Sequence, residues 1–306
     1  MSDDSPGVPL RPFILGIVGD SGSGKSTVAA GVRALIGPDR VATLELDDYH
    51  RYTRAERLEM GHTALNPVVH DLGLMQEHLA LFRRGRPVRV RSYDHTDGTF
   101  GAQRTVEPAE VVIVRGLLGF PTDELRSAYD LAVFLQPEPE LLFRWKLRRD
   151  VKTRGYTEAQ VLKHIAQHLL DSKQYVLPQG DRADLLVRYE VPEWDSPDEA
   201  VQVTLVLRRA AAEAARGDTD IERLDGHVRR EDDGSELTLS VGPDLPLDAL
   251  DSLTREMFPG ADDVALLGQY TDDAGETKRL AALAFAQVMI AALTRKLEPA
   301  ALSRAG

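Results

Sequence analysis

The chain has 306 residues, of which 42% are hydrophobic and 28% are charged, a composition typical of a globular protein with one large domain and room for a smaller addition. Its formal net charge of −12 argues against nucleic acid or an anionic membrane as the main partner, because phosphate-rich surfaces bind net basic proteins. The absence of cysteine excludes disulfide regulation and cysteine-ligated zinc, and no apolar run approaches the ~18 residues of a membrane span.

This composition favours a cytoplasmic protein without a membrane or nucleic-acid partner, and it is compatible with a homo-oligomer. In so acidic a chain, an anionic small molecule needs a local cluster of arginine and lysine. The first residues are acidic, rich in proline and unlike a signal peptide, so we expect residues 1–12 to form a disordered tail.

A phosphate-binding loop follows the first predicted strand, residues 13–18. Residues 19–27 read GDSGSGKST and fit the P-loop pattern G-x-x-x-x-G-K-[ST] between a strand and a helix. Its glycines let successive backbone N–H groups converge on an anion, and the helix N-terminus adds a positive dipole end. We predict a nucleoside triphosphate site in which Lys25 contacts the β- and γ-phosphates and the Ser26 hydroxyl ligates Mg²⁺. The predicted nucleotide-binding residues are Gly19, Asp20, Ser21, Gly22, Ser23, Gly24, Lys25, Ser26 and Thr27.

Strands and helices alternate after this loop. Their apolar patterns predict strands at 41–46, 88–93, 111–114, 131–135 and 184–189, and helices at 72–84, 138–151 and 157–174. This alternation predicts an α/β fold, a doubly wound and largely parallel sheet with helices on both faces.

The amino-acid composition of the chain changes near residue 190. The remainder is acidic, with a predicted hairpin at 227–241 and a final helix at 278–297. We therefore expect a kinase-like P-loop core at 13–190 and a smaller C-terminal α+β segment, 191–306, packed on that core.

A polar segment rich in acid, histidine and arginine follows the second predicted strand. In an open α/β sheet, this position lies in the crevice beyond the carboxyl ends of the strands. Asp47 could there take a proton from a substrate hydroxyl or hold Mg²⁺ through water. His50, Arg51 and Arg54 could bind an anionic group of the acceptor. The alternative is an acidic turn with a solvated arginine-rich loop, which is less expected beside a P-loop.

A second cluster of charge lies at the end of the helix predicted at 138–151. Lys146, Arg149 and Asp150 share one helix face, and Arg154 follows just beyond the helix end. Clustered cations suit the charge that develops in phosphoryl transfer. Cations that complement the helix dipole would explain one or two of these residues, but not the whole group.

Two weaker signals lie elsewhere. Tyr93 and His95 could add a contact to a sugar hydroxyl or a phosphate, although a plain turn is the simpler explanation. His164 and His168 have the spacing of a two-histidine metal face, but no third ligand accompanies them, so we interpret them as helix-surface residues.

Five segments together resemble the phosphoribulokinase/uridine kinase family of P-loop kinases, and within it the phosphoribulokinases of cyanobacteria and plants. They are GDSGSGKST at 19–27, LDDYH at 46–50, TALNP at 63–67, YDH at 93–95 and WKLRRD to RG at 145–155. Their order and approximate spacing match over residues 13–190. The resemblance implies a nucleoside-monophosphate-kinase-like fold. It also implies a kinase that uses ATP and Mg²⁺ to phosphorylate a hydroxyl of a phosphorylated pentose, D-ribulose 5-phosphate in particular.

The resemblance also implies roles for individual residues. Asp47 would be the base for the substrate hydroxyl, with Lys25 and Asp150 as further catalytic residues. Ser26, Asp47 and Asp150 would serve the metal. The residues around the sugar phosphate and the transferring phosphoryl group would be His50, Arg54, Tyr93, His95, Lys146, Arg149 and Arg154.

Arg115 departs from the family pattern. The family's strand ends in a metal-assisting carboxylate followed by Gly-Leu-His, whereas strand 111–114 is followed here by Arg-Gly-Leu-Leu. Loss of such a carboxylate commonly costs several kcal/mol of transition-state stabilisation. Either Asp47, Asp48 and Asp150 hold the metal alone, or the acceptor differs, or catalysis is impaired. The alternatives are therefore a uridine, nucleoside or other sugar kinase, and a nucleotide-binding regulatory homologue without turnover.

Overall fold

The computed structural model describes residues 11–152, 154–224, 226–261, 263–272 and 274–303. The tail predicted at residues 1–12 lies outside these ranges except for its last two positions. There, Arg11 forms an ion pair with Asp130 at 3.2 Å.

The described chain alternates strands and helices. The strands are β1 Phe13–Gly19, β2 Val41–Glu45, β3 Val88–Tyr93, β4 Phe100–Val106, β5 Val111–Gly116, β6 Leu131–Pro137, β7 Leu185–Glu190, β8 Gln202–Arg208, β9 Val228–Asp232, β10 Glu236–Val241, β11 Gln269–Thr271 and β12 Thr277–Arg279. The α-helices are α1 Lys25–Ile36, α2 Arg54–Glu59, α3 Leu72–Phe82, α4 Asp123–Arg126, α5 Pro139–Lys152, α6 Glu158–Asp171, α7 Arg209–Arg216, α8 Thr219–Glu222, α9 Leu247–Met257 and α10 Ala281–Ser303.

An eight-stranded sheet with the order β2-β5-β1-β6-β7-β8-β10-β9 forms the centre. The strands from β2 to β7 in this order run parallel, and β8, β10 and β9 extend the sheet in antiparallel fashion. Two small antiparallel pairs, β3–β4 and β11–β12, lie outside it. Parallel strands are covered on both faces, which explains the near-continuous apolar runs of β1 and β5. The predicted doubly wound, largely parallel α/β fold is confirmed.

Alternate residues of β1 contribute to two separate cores. Phe13, Leu15 and Ile17 pack on the face covered by α1 and α10. Ile14 and Val18 pack on the opposite face, together with α3 and the β3–β4 hairpin. Because helices cover both faces, the accessible edge of the sheet near β1 is the one at the carboxyl ends of the strands, where the P-loop begins.

The C-terminal residues are built into the same sheet and core. β8 pairs with β7, so the sheet continues across residue 190, and α10 packs against α1. The buried Gln287 of α10 accepts a hydrogen bond from the Gly268 N–H at 2.8 Å and donates one to the Thr27 carbonyl at 2.8 Å. The division of the chain at residue 190 stays a prediction, and the residues on its two sides are in direct contact.

Several element boundaries differ from those predicted. β2 ends at Glu45, and Leu46–Tyr49 forms a 3-10 turn. The helix predicted to reach residue 174 changes at Ser172–Val176 into a π-helical turn. Residues Thr277–Arg279 pair with β11, so the final helix begins only at Ala281. Within the ranges the structure describes, no helix combines the length and apolarity needed to cross a membrane.

Candidate active site

The P-loop connects the end of β1 to the start of α1. Gly22 and Gly24 have φ angles of 93° and 87°, a conformation that favours glycine. A Cβ on Gly22 would lie 3.0 Å from the Cβ of Lys146, so helix α5 closely approaches the loop at this point. Among the described residues, the buried hydroxyl of Ser23 has no hydrogen-bond partner. The loop thus presents a tight backbone curve and an unsatisfied polar atom, features that suit a bound anion.

Lys25 folds back over this loop. Its Nζ donates to the carbonyl oxygens of Gly19 and Asp20 at 2.9 and 2.7 Å. Burial lowers the pKa of Lys25 to about 8. Asp20 accepts hydrogen bonds from the Ser21 N–H and the Ser172 hydroxyl, which ties the loop to the π-helical turn.

Asp47 lies on the 3-10 turn after β2, and its carboxylate contacts two histidines. Nε2 of His95 lies 3.1 Å from one carboxylate oxygen, and Nδ1 of His50 lies 3.9 Å from the other. Burial raises the pKa of Asp47, but the hydrogen bond from His95 and the attraction of the nearby His50, His95 and His70 together outweigh it and hold the pKa below its ordinary value. Asp47 is therefore ionised and able to accept a proton across the physiological pH range.

His50 is buried between two other rings. It stacks on Tyr93 with ring centroids 4.8 Å apart and is tilted against His70 at 4.4 Å. Burial lowers the pKa of His50 to about 3, so the ring is neutral. Its Nδ1 donates to the Asp47 carbonyl at 2.8 Å, which leaves Nε2 as a buried acceptor, unpartnered within the described chain. A neutral acceptor suits a hydroxyl donor better than a phosphate.

Arg54 and Arg57 hold the turn that carries His95. Arg54 donates to the His95 carbonyl at 2.6 Å, and its backbone N–H donates to the Gly98 carbonyl at 2.8 Å. Arg57, which is buried and was not singled out in the sequence, donates to the Tyr93 hydroxyl at 2.8 Å.

Helix α5 directs one face into the site. Arg149 donates to the Ser21 hydroxyl at 3.0 Å and to Asp150 at 2.8 Å, and Arg154 lies 3.4 Å from the same Asp150 oxygen. Lys146 is buried, with Nζ 3.4 Å from Nδ1 of His168, and its burial lowers its pKa. The carboxylate of Asp150 is thus engaged by two guanidinium groups.

Arg115 forms an ion pair that sequence reasoning missed. It is the register partner of Glu45 on β2, and its Nε and Nη2 lie 2.7 and 2.6 Å from the same carboxylate oxygen of Glu45. Burial raises the pKa of Glu45, and the Arg115 charge opposes that shift. Glu45 lies one residue before the LDDYH segment, and only the pairing of β2 with β5 reveals its partner.

These groups line one cavity of about 1130 Å³. Every predicted site residue lines it except Gly19, Asp20 and Arg51. Arg51 lies outside the cavity, where it donates to the His70 carbonyl at 3.1 Å and pairs with Asp71 at 3.4 Å. The cavity wall also contains residues that the sequence analysis did not assign to the site, namely Glu45, Arg57, His62, Trp145, Tyr156, His164, Gln167, His168, Tyr189 and Tyr270. His164 and His168, interpreted from the sequence as helix-surface residues, are partly exposed on α6 and line the cavity.

The sheet order, the phosphate-binding loop and the charged cavity at the carboxyl ends of the strands define the class, a protein with the P-loop kinase fold. More narrowly, the chain belongs to the Phosphoribulokinase / Uridine kinase family, whose model matches residues 14–195, more than half of its length. The predicted family is confirmed.

Two curated relatives are similarly close. The chain is 33% identical to the phosphoribulokinase of Synechocystis sp. over 178 residues, 58% of this chain and 54% of that protein. It is 32% identical to the uridine kinase of Deinococcus deserti over 184 residues, 58% of this chain and 88% of that protein. The chain thus spans about half the length of the curated cyanobacterial and chloroplast phosphoribulokinases it matches.

A solved structure agrees with this placement at the level of the fold. The phosphoribulokinase from Rhodobacter spheroides superposes with a TM-score of 0.61 at 19% identity, over 80% of this chain and 98% of that one.

Proposed function

We propose that this chain is a cytoplasmic kinase that uses ATP with Mg²⁺ to phosphorylate a hydroxyl of a phosphorylated pentose, D-ribulose 5-phosphate being the first candidate. The observation that carries the proposal is the set of groups that line this cavity. It combines the P-loop, the ionised Asp47 and several cations that form no ion pair with an acid in the described part of the chain.

Besides Lys25 of the P-loop, three cations of the cavity form no ion pair with a carboxylate among the described residues. Arg54 and Arg57 donate to carbonyl and hydroxyl oxygens, and Lys146 contacts His168. In a chain of net charge −12, such a local excess of positive charge supports binding of an acceptor that carries its own phosphate. A neutral nucleoside does not require it.

The transfer step follows from the positions of these groups. As the acceptor oxygen forms a bond to the γ-phosphorus of ATP, its proton passes to Asp47, and the bond to the β–γ bridging oxygen breaks to release ADP. Lys25 on the P-loop and Arg149 beside Ser21 would offset the charge that develops on the phosphoryl oxygens.

The donor set of the cavity fits Mg²⁺. Hydroxyl and carboxylate oxygens are the ligands this ion prefers, and it commonly keeps several waters and takes only one or two protein ligands. This agrees with the finding that, within the described ranges, no three His, Cys, Asp or Glu side chains gather as a metal cluster. Ser26 and Asp47 would hold the ion, which when bound neutralises charge on the β- and γ-phosphate oxygens. Asp150, predicted as a third metal residue, would instead hold Arg149 and Arg154 in position, since both already engage its carboxylate.

Uridine is the competing acceptor, because the similarity to a uridine kinase is as high and covers more of that relative. The test is ADP release by the purified chain with Mg-ATP and ribulose 5-phosphate, other pentose phosphates or uridine. We expect turnover on ribulose 5-phosphate that falls about 10²- to 10⁴-fold in Asp47→Asn and is unchanged in Asp39→Asn, an exposed control. Turnover on uridine alone would reject the proposal, and nucleotide binding without turnover on any acceptor would indicate a regulatory homologue.

A further inference from the structure

The end of β5 is the place where a P-loop protein needs an acid, and here it carries Arg115. β5 is the direct neighbour of β1, the strand that leads into the P-loop. P-loop enzymes generally hold their metal with the loop Ser or Thr and a carboxylate at the end of a nearby strand. A guanidinium cannot take that role, because it has no acceptor atom.

The sheet register places Glu45 on the correct face to replace it. Ile17, Arg115 and Glu45 are register partners across β1, β5 and β2, so their side chains point to the same face of the sheet. Ile17 packs in the core that is covered by α1, whose first turn carries Lys25 and Ser26. Glu45 therefore lies on the side of the sheet that bears the metal-binding hydroxyl.

The two contacts from Arg115 go to one oxygen of the Glu45 carboxylate. Nε and Nη2 of Arg115 both approach Oε1, at 2.7 and 2.6 Å. In the described part of the chain, no hydrogen bond to Oε2 is found, and the side chain is 34% exposed and lines the cavity. One oxygen is thus fixed by Arg115, and the carboxylate as a whole lies at the cavity wall.

We propose that Glu45 supplies the metal-assisting carboxylate for the Mg²⁺ of the bound nucleotide, acting through metal-bound water, and that Arg115 is a positioning residue that fixes it. β2 lies one strand spacing, ~4.8 Å, beyond β5, which favours a water-mediated role over direct coordination. The acid thus lies on β2, one strand further from β1 than the usual position at the end of β5, where Arg115 forms the ion pair that holds it. This inference rests on the proposed function only in assuming a metal–nucleotide complex at the P-loop.

The test measures metal binding rather than turnover. Mn²⁺ affinity is determined by electron paramagnetic resonance on the full chain saturated with a non-hydrolysable ATP analogue. Glu45→Gln keeps the shape and an acceptor for Arg115 but removes the charge, and we expect Mn²⁺ affinity to fall about 10- to 100-fold. Affinity for the analogue without metal should change less than about threefold.

A second ion pair of the same kind is the matched control. Glu236 and Arg208 are register partners on β10 and β8 and form an ion pair, and neither lines the cavity. Glu236→Gln should leave Mn²⁺ affinity unchanged. The exchange Glu45→Arg with Arg115→Glu restores the pair with the acid beside β1, and it should recover most of the affinity lost in Glu45→Gln.

Wild-type Mn²⁺ affinity in Glu45→Gln, with an unchanged melting temperature, would overturn the inference. So would a loss of affinity in Glu236→Gln as large as in Glu45→Gln. Glu45-dependent metal binding without turnover on any acceptor would support this inference while rejecting the proposed kinase function, so the two failures are distinguishable.

Discussion

The hydrogen bond between His95 and Asp47 is one of the contacts that support the proposed proton transfer. His95 stabilises the ionised carboxylate, and Asp47 sits where burial alone would raise its pKa. The His95 side chain is about half exposed, and the Arg54 side chain holds its backbone carbonyl. The position of His95 therefore depends on the turn that carries it.

Removing His95 should change the pH dependence of catalysis. Without its hydrogen bond the pKa of Asp47 rises, so the carboxylate becomes protonated at higher pH and less of it can act as a base. In His95→Ala we expect the acid limb of the kcat profile to move up by about one pH unit or more, measured at saturating ATP and acceptor. His227→Ala removes a histidine that lies 3.7 Å from Asp244, outside the cavity, and should leave the profile in place. An unshifted acid limb in His95→Ala would mean that Asp47 does not depend on this contact.

At the scale of elements, the turn between β3 and β4 joins the acceptor side of the site to helix α2. Gly98 has a φ of 79°, and a Cβ there would lie 2.4 Å from the Cβ of Arg54. The turn and the arginine therefore fit together only when residue 98 lacks a side chain.

Gly98→Ala should damage both stability and activity. The left-handed backbone alone costs about 1–2 kcal/mol for a residue with a Cβ, and the contact with Arg54 adds to it and displaces His95. Gly234→Ala is the matched control, because Gly234 has a φ of 88° but an added Cβ meets nothing within 4 Å. Urea unfolding and kcat/KM are measured for both variants, and Gly98→Ala should lose more stability and more activity than Gly234→Ala. Equal losses of stability with full activity in both variants would contradict the account.

Some elements of the site could be predicted from sequence and others could not. The strand–loop–helix pattern predicts the P-loop, and helical spacing predicts the shared face of Lys146, Arg149 and Asp150, because both depend on neighbours in the chain. Glu45 and Arg115 lie on different strands, so their contact depends on strand pairing, which spacing does not specify. His168 reaches the cavity because α6 packs on α5, a tertiary contact that its spacing from His164 does not reveal.

At the scale of the whole molecule, the C-terminal helix supports the nucleotide side of the site. α10 covers the same core as α1, and Gln287 links it to the Thr27 carbonyl at the end of the P-loop. A Cβ on Gly31 of α1 would lie 2.3 Å from the Gln287 side chain, so the two helices approach closely there. Residues beyond 190 thus contribute to the position of the P-loop helix.

Gln287→Met should therefore destabilise the protein and weaken nucleotide binding. It keeps the volume but leaves the Gly268 N–H without its partner, at about 1–3 kcal/mol for a buried group. It also removes one of two hydrogen bonds to the Thr27 carbonyl, which within α1 still accepts the Gly31 N–H. Chemical denaturation and titration with ATP check both effects. Gln202→Leu, at the exposed first residue of β8, is expected to change neither. Unaltered stability in Gln287→Met would show that α10 does not support the loop through this residue.

We propose that the cavity recognises an acceptor that already carries a phosphate, through cations that form no ion pair with an acid among the described residues. The most direct measurement is the ratio of kcat/KM for D-ribulose 5-phosphate to that for D-ribulose and for uridine, at saturating Mg-ATP. We predict a preference of about 10³-fold or more over both, because acceptors without the phosphate leave buried cations unpaired. Equal efficiency on D-ribulose, or higher efficiency on uridine, would contradict the claim.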